Sequence, residues 1–142
     1  MTLPTSDTPH ALIVDDDFVI RMDAKDILEQ AGFQVLDAHH GDAAFDLLKT
    51  RHPDVVLLFT DVQMPGQLDG FALAHMVATS WPHISIVVAS GHVTPGPGSM
   101  PDKARFIAKP FSAKLVHAHL QELLPHGQKP ESLRRAMLAS RH

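Results

Sequence analysis

At 142 residues, 44% of them apolar, the chain has the size and composition of one folded domain: enough for a core, too short for two full domains. Its 16 acidic and 12 basic residues leave a net charge of −4, which excludes a broad electrostatic footprint for nucleic acid. There is no cysteine for disulfides, no signal-peptide pattern in the first ten residues and no apolar run near the ~20 residues of a membrane span, so a soluble cytoplasmic domain is expected.

Residues 1–9 read as a flexible arm. "ALIV" (11–14) is a short apolar run that ends in three aspartates. Ile20, Ala24, Ile27, Leu28 and Ala31 then recur at helical spacing, and Gly32 supplies the stop. "FQVLDA" (33–38) alternates as a strand does. "DAAFDLLKTR" (42–51) places Ala44, Leu47 and Leu48 on one helical face, with Pro53 closing it. "VVLLF" (55–59) is a strand buried on both faces, and "GFALAHMVATS" (70–80) is the third helix. "ISIVVAS" (84–90) and "RFIAK" (105–109) are the last strands. Ser112 caps a final helix with Val116, Leu120, Leu123 and Leu124 on one face, ended by Pro125. Residues 126–142 form a basic tail with a short helix through Leu133, Met137 and Leu138, too short for a DNA-binding output domain.

Strands alternating with crossovers predict a parallel sheet covered on both faces. One crossover lacks its helix. Between Ser90 and Arg105 lie Pro95, Gly96, Pro97, Gly98 and Pro101. Proline costs about 3 kcal/mol in a helix interior and glycine about 1, so this segment is expected to be irregular, with a turn near its end.

Ligands of open parallel sheets bind at the carboxyl ends of the strands, and there the chemistry gathers: Asp15 and Asp16 after the first strand, Asp61 after the third, Ser90 on the fourth, Lys109 on the fifth. A single strand-end aspartate is ordinary turn chemistry; four strands ending this way are not. Three carboxylates at 4 Å repel by roughly 4 kcal/mol per pair at an effective dielectric of about 20. A hard divalent cation relieves this, and Mg²⁺ (or Mn²⁺) suits carboxylates, waters and phosphate oxygens. Asp61 then reads as a nucleophile forming an aspartyl phosphate, with Lys109 and the Ser90 hydroxyl on phosphoryl oxygens.

The motifs "LIVDDD", "TDVQMPG…DG", "VVASG" and "FIAKPF", in this order over residues 10–125, resemble the receiver domain of bacterial two-component response regulators, here of the stand-alone type. The resemblance implies a doubly wound α/β fold with five parallel strands in the order 2-1-3-4-5, the order the general rule gives for the chemotaxis relative. It makes Asp15 and Asp16 the metal-binding pair, Asp61 the phosphoacceptor and the Gln63 carbonyl a further metal ligand. It also makes Ser90 the switch hydroxyl, Lys109 the phosphate-sensing lysine and Phe106 the switch aromatic. Gln63 and His92 tune dephosphorylation, and the Lys109–Pro110 bond is cis. The implied partners are a sensor histidine kinase or histidine phosphotransfer protein, an unidentified downstream protein, and in some members a second copy of the chain. The implied activity is self-catalysed phosphoryl transfer and hydrolysis, not enzymatic turnover of a separate substrate. Two features depart from the pattern: "MPGQLDG" is one residue longer than its commonest form, and residues 92–104 replace the usual fourth helix.

Two alternatives remain. "LIVDDDFV" also fits a haloacid-dehalogenase-like phosphatase with Asp15 as nucleophile, Ser90 and Lys109 as its later motifs; that reading lacks the final acidic pair and leaves Asp61 idle. The other is a receiver-like binding module that is never phosphorylated. The eleven histidines read as structural, the methionines as core filler, and Arg134 and Arg135 as a solvated tail.

Overall fold

The strands follow from their hydrophobicity. β1 (His10–Val14), β3 (Val55–Asp61) and β4 (Ser85–Ser90) are almost wholly buried, whereas β2 (Gln34–Ala38) and β5 (Arg105–Ala108) keep exposed positions. All pair in parallel in the order β2-β1-β3-β4-β5, so the two amphipathic strands form the edges and β3 the centre. This is the expected doubly wound arrangement. The computed structural model describes residues 8–139, with side chains as far as Arg135; residues 1–7 of the expected arm and the side chains of Met137 and Leu138 lie outside the described residues.

One face of the sheet, through Ala11, Ile13, Leu57, Phe59, Val87 and Ile107, packs on α1 (Phe18–Gln30) and α4 (Ala113–Leu123). The other, through Leu12, Val14, Leu58, Ile86 and Val88, packs on α2 (Gly41–Arg51) and α3 (Gly70–Ser80). Fully burying a side chain such as Leu58 contributes about 1.5–3 kcal/mol. Aspartate or serine caps three of these helices, Asp17 on α1, Asp69 on α3 and Ser112 on α4. His40 caps α2, its Nδ1 accepting from the Ala43 N–H at 3.1 Å.

Between β4 and β5 no helix forms, as the prolines dictate. Two turns, closed by Ser99 N–H to Gly96 O and Ala104 N–H to Pro101 O, carry the chain across. Val93 and Met100 pack on the α3 side of the core. The His75 ring on α3 holds the strap's middle at the Gly98 and Ser99 carbonyls, 3.0 and 3.1 Å away.

The tail departs from its reading as solvated. After a 3₁₀ turn at His126–Gln128, α5 (Glu131–Ala139) brings Leu133 into the core and Gln121 bonds the Leu133 carbonyl. Arg134 is half-buried and donates to the Lys129 carbonyl at 3.0 Å, whereas Arg135 is exposed beside Glu131. Gly32, at φ +105°, turns the chain out of α1 and is crossed by Pro130, whose Cβ would lie 2.8 Å from any Cβ at that position.

Candidate functional site

β3 runs two residues further than its apolar run predicts. Thr60 is fully buried despite its hydroxyl, which donates to the Asp61 carbonyl at 2.9 Å, so the strand carries Asp61 to its very end. The "DG" of the following loop has a steric reason. Gly70 opens α3 directly against the Asp61 backbone, and a Cβ there would collide with the Asp61 carbonyl and lie 2.8 Å from the Val62 Cα. The longer loop is braced on α2: the Gln67 N–H donates to Asp42 Oδ2 at 3.3 Å and Leu68 lies against Gly41.

At the carboxyl ends of β1, β3, β4 and β5, a cavity of about 580 Å³ brings together Asp15, Asp16, Asp61, Ser90 and Lys109, the five residues singled out from the strand ends. Gln63 and His92 line it too. Phe106 does not: it is half-buried and packs on the α2–α3 side of the core, as Val93, Met100 and Ala104 do. The Lys109–Pro110 bond is cis.

Lys109 Nζ stands 3.0 Å from both Asp15 Oδ2 and Asp61 Oδ1. One ammonium cannot balance this group. A carboxylate oxygen of each of Asp15, Asp16 and Asp61 lies within 4.8 Å of the others, where each pair repels by about 3.5 kcal/mol at an effective dielectric near 20. With all four groups ionised a formal charge of −2 remains, the charge a divalent cation cancels. Hard, all-oxygen donors, one of them exposed, match Mg²⁺ in kind.

Burial holds the Asp61 carboxyl above the usual carboxylate range. The Lys109 hydrogen bond opposes this, and the Asp15 charge adds to it. Burial pushes the Lys109 ammonium down, but its bonds to Asp61 and Asp15 outweigh that and leave it raised. Lys109 therefore stays charged across the neutral range. Ser90 Oγ accepts from the His92 and Val93 N–H groups at 3.3 and 3.1 Å, tying the start of the strap to the cavity.

Over residues 11–121 the chain matches the family model described as response regulator receiver domain. The chain belongs to the response regulator receiver family. It is 31% identical over 122 residues to a chemotaxis protein CheY homolog of Campylobacter jejuni, covering 82% of this chain and 92% of that protein. It is 28% identical over 122 residues to the sensor kinase CckA of Brucella abortus, covering 84% of this chain but 13% of that one. The crystal structure of a receiver protein from Sinorhizobium medicae superposes with a TM-score of 0.76 at 25% identity, over 84% of this chain and 97% of the other. Other relatives are longer, and this receiver spans 28%, 24% and 49% of three of them. The chain is thus a receiver of the phosphoaspartate-accepting kind, with the acidic cluster at its strand ends. Among the described residues no helix is long and apolar enough to cross a membrane.

Reading the sequence missed Asp17 and Arg21. The Asp17 N–H donates to Asp15 Oδ1 at 2.9 Å while its own carboxylate caps α1; the signal was an N-cap residue directly before a helical period. The histidines are structural where their contacts are seen, as with His117 on the Ile27 carbonyl and His52 on the Leu48 carbonyl, both at 2.8 Å.

Proposed function

We propose that Asp61 is the phosphoacceptor, that Asp15, Asp16 and the Gln63 carbonyl hold Mg²⁺ or Mn²⁺ beside it, and that a histidine kinase or phosphotransfer protein in the cytoplasm is the donor. One positional observation carries this reading. Asp61 ends the central strand, with the acid pair of β1 on one side and Ser90 of β4 on the other. A phosphoryl group on Asp61 would stand between them. The Asp61 carboxylate attacks phosphorus, an O–P bond forms as the donor's N–P bond breaks, and the leaving imidazole takes up a proton. Bound Mg²⁺ supplies charge neutralisation for the phosphoryl oxygens. Lys109 exchanges a carboxylate oxygen for a phosphoryl oxygen. Ser90, turning its hydroxyl to another, releases the His92 and Val93 N–H groups and so loosens the strap over which the signal leaves. Asp15 fits the nucleophile's part less well, because it follows β1, two strands from Ser90 on β4, whereas Asp61 ends β3, the strand beside β4.

Acetyl phosphate with Mg²⁺ is expected to add one phosphoryl group to the protein, and intact mass reads this directly. Mg²⁺ at ten times its Kd is expected to stabilise the fold by about 1.4 kcal/mol. Asp16→Ala should abolish most of that gain while leaving the metal-free Tm equal or higher; an unchanged Mg²⁺ response would remove Asp16 from the site. Gln63 and His92, both exposed on the cavity rim, are expected to set the lifetime of the acyl phosphate. His92→Ala or Gln63→Ala should change its decay by at least about threefold, or ~0.7 kcal/mol of barrier, with little change in Tm. Identical decay in both variants would exclude them.

A further inference from the structure

Arg21 lies in the first turn of α1, where the helix dipole disfavours a cation. Its Nε is buried without a hydrogen-bond partner among the described residues, which adds a desolvation cost. Neither feature favours stability. The guanidinium meets the face of Phe18, 5.4 Å from the ring centroid, and its Nη1 donates to the backbone carbonyl of Asp15 at 2.8 Å.

That last bond completes a set. The Asp15 N–H donates to the Ala38 carbonyl at 3.2 Å, Oδ1 accepts from Asp17 at 2.9 Å and Oδ2 from Lys109 at 3.0 Å. With Arg21 on the carbonyl, every hydrogen-bonding group of Asp15 is held, from the start of α1 through Asp17 and Arg21, from β2 through Ala38 and from the end of β5 through Lys109. Asp16, by contrast, is exposed. The Asp15 carbonyl belongs to the planar peptide that leads into Asp16, so fixing its direction also fixes the position of the Asp16 Cα that carries the side chain. We infer that Arg21 is a positioning residue: by anchoring the Asp15–Asp16 peptide plane it aims both carboxylates at the cation. This rests on the proposal that these acids bind a divalent metal.

Charge and positioning predict opposite signs, which makes the test sharp. Removing a positive charge near a Mg²⁺ site should tighten binding if charge is all that Arg21 contributes; losing the anchor should weaken it. Calorimetric Mg²⁺ titration of the full chain is expected to show Arg21→Met binding about tenfold more weakly, the low end of the effect of residues behind metal ligands. Arg21→Lys, which keeps a donor on a long stem, should recover most of the affinity. At saturating Mg²⁺ the rate of labelling by acetyl phosphate should return to the wild-type value, because Arg21 acts only through the acid pair. Should Arg21→Met be too unstable to titrate, Arg21→Gln, too short to reach the carbonyl, carries the same expectation. Mg²⁺ affinity equal to or tighter than wild type, even with a lowered Tm, would overturn the inference, as would a labelling rate that stays low at saturating Mg²⁺. A wild-type chain that binds no Mg²⁺ would overturn the metal site itself and this inference with it.

Discussion

Lys109→Met is expected to destabilise the metal-free protein by about 2–3 kcal/mol at pH 7, somewhat less than breaking a fully buried ion pair. The ammonium bridges Asp15 and Asp61 at 3.0 Å, and the three side chains are only 16%, 7% and 11% exposed. Methionine keeps the apolar stem but leaves two carboxylates facing each other in a site that water reaches poorly. The deficit should shrink as pH falls toward the ordinary aspartate value of 3.8, because proton uptake by the folded variant relieves the repulsion. Mg²⁺ should rescue it for the same reason. Urea unfolding at pH 7 and pH 5, with and without Mg²⁺, measures all three effects. A metal-free midpoint equal to that of wild type would show that Lys109 does not balance the site.

Asp61→Asn should do the reverse to stability while abolishing labelling. The Asp61 carboxyl is raised above 3.8 in the folded protein, chiefly by burial. The folded state therefore binds that proton more tightly than the unfolded chain does. The contribution to stability is fully present below 3.8 and is lost as pH rises through the raised value, so the ionised group is a net cost at pH 7. Asparagine removes the cost and leaves Lys109 bonded to Asp15. At pH 7 the metal-free Tm is expected to rise, and the gain should vanish in strong acid, where the carboxyl of the wild-type chain is protonated as well. A lowered Tm, or undiminished labelling by acetyl phosphate, would contradict this.

The site was legible in the sequence because each member terminates or follows an apolar run, and a parallel sheet brings those ends together whatever the loops do. The missing helix was legible for the opposite reason: Pro95, Pro97 and Pro101 forbid it locally. What escaped depends on long-range contact. Thr60 is polar by composition, yet its hydroxyl is satisfied inside the strand, so the apolar run understated β3. His40 is not among the strong capping types, and only the structure shows its ring accepting from Ala43. Leu133 has helical spacing in a polar, basic tail, but nothing local says that α4 supplies the surface it buries against. Arg21 looks like an ordinary surface residue until its bond to the Asp15 carbonyl is seen.

The central claim is that Asp61 receives the phosphoryl group, and borohydride trapping tests it most directly. Hydride reduces the acyl carbon of an aspartyl phosphate, expels phosphate and leaves homoserine, a mark that fragment mass spectrometry assigns to one position. After treatment with acetyl phosphate and Mg²⁺, this conversion is expected at position 61 and at no other aspartate, dependent on Mg²⁺. Conversion at position 15 would instead support the phosphatase-like reading and contradict the role of Asp61 as phosphoacceptor.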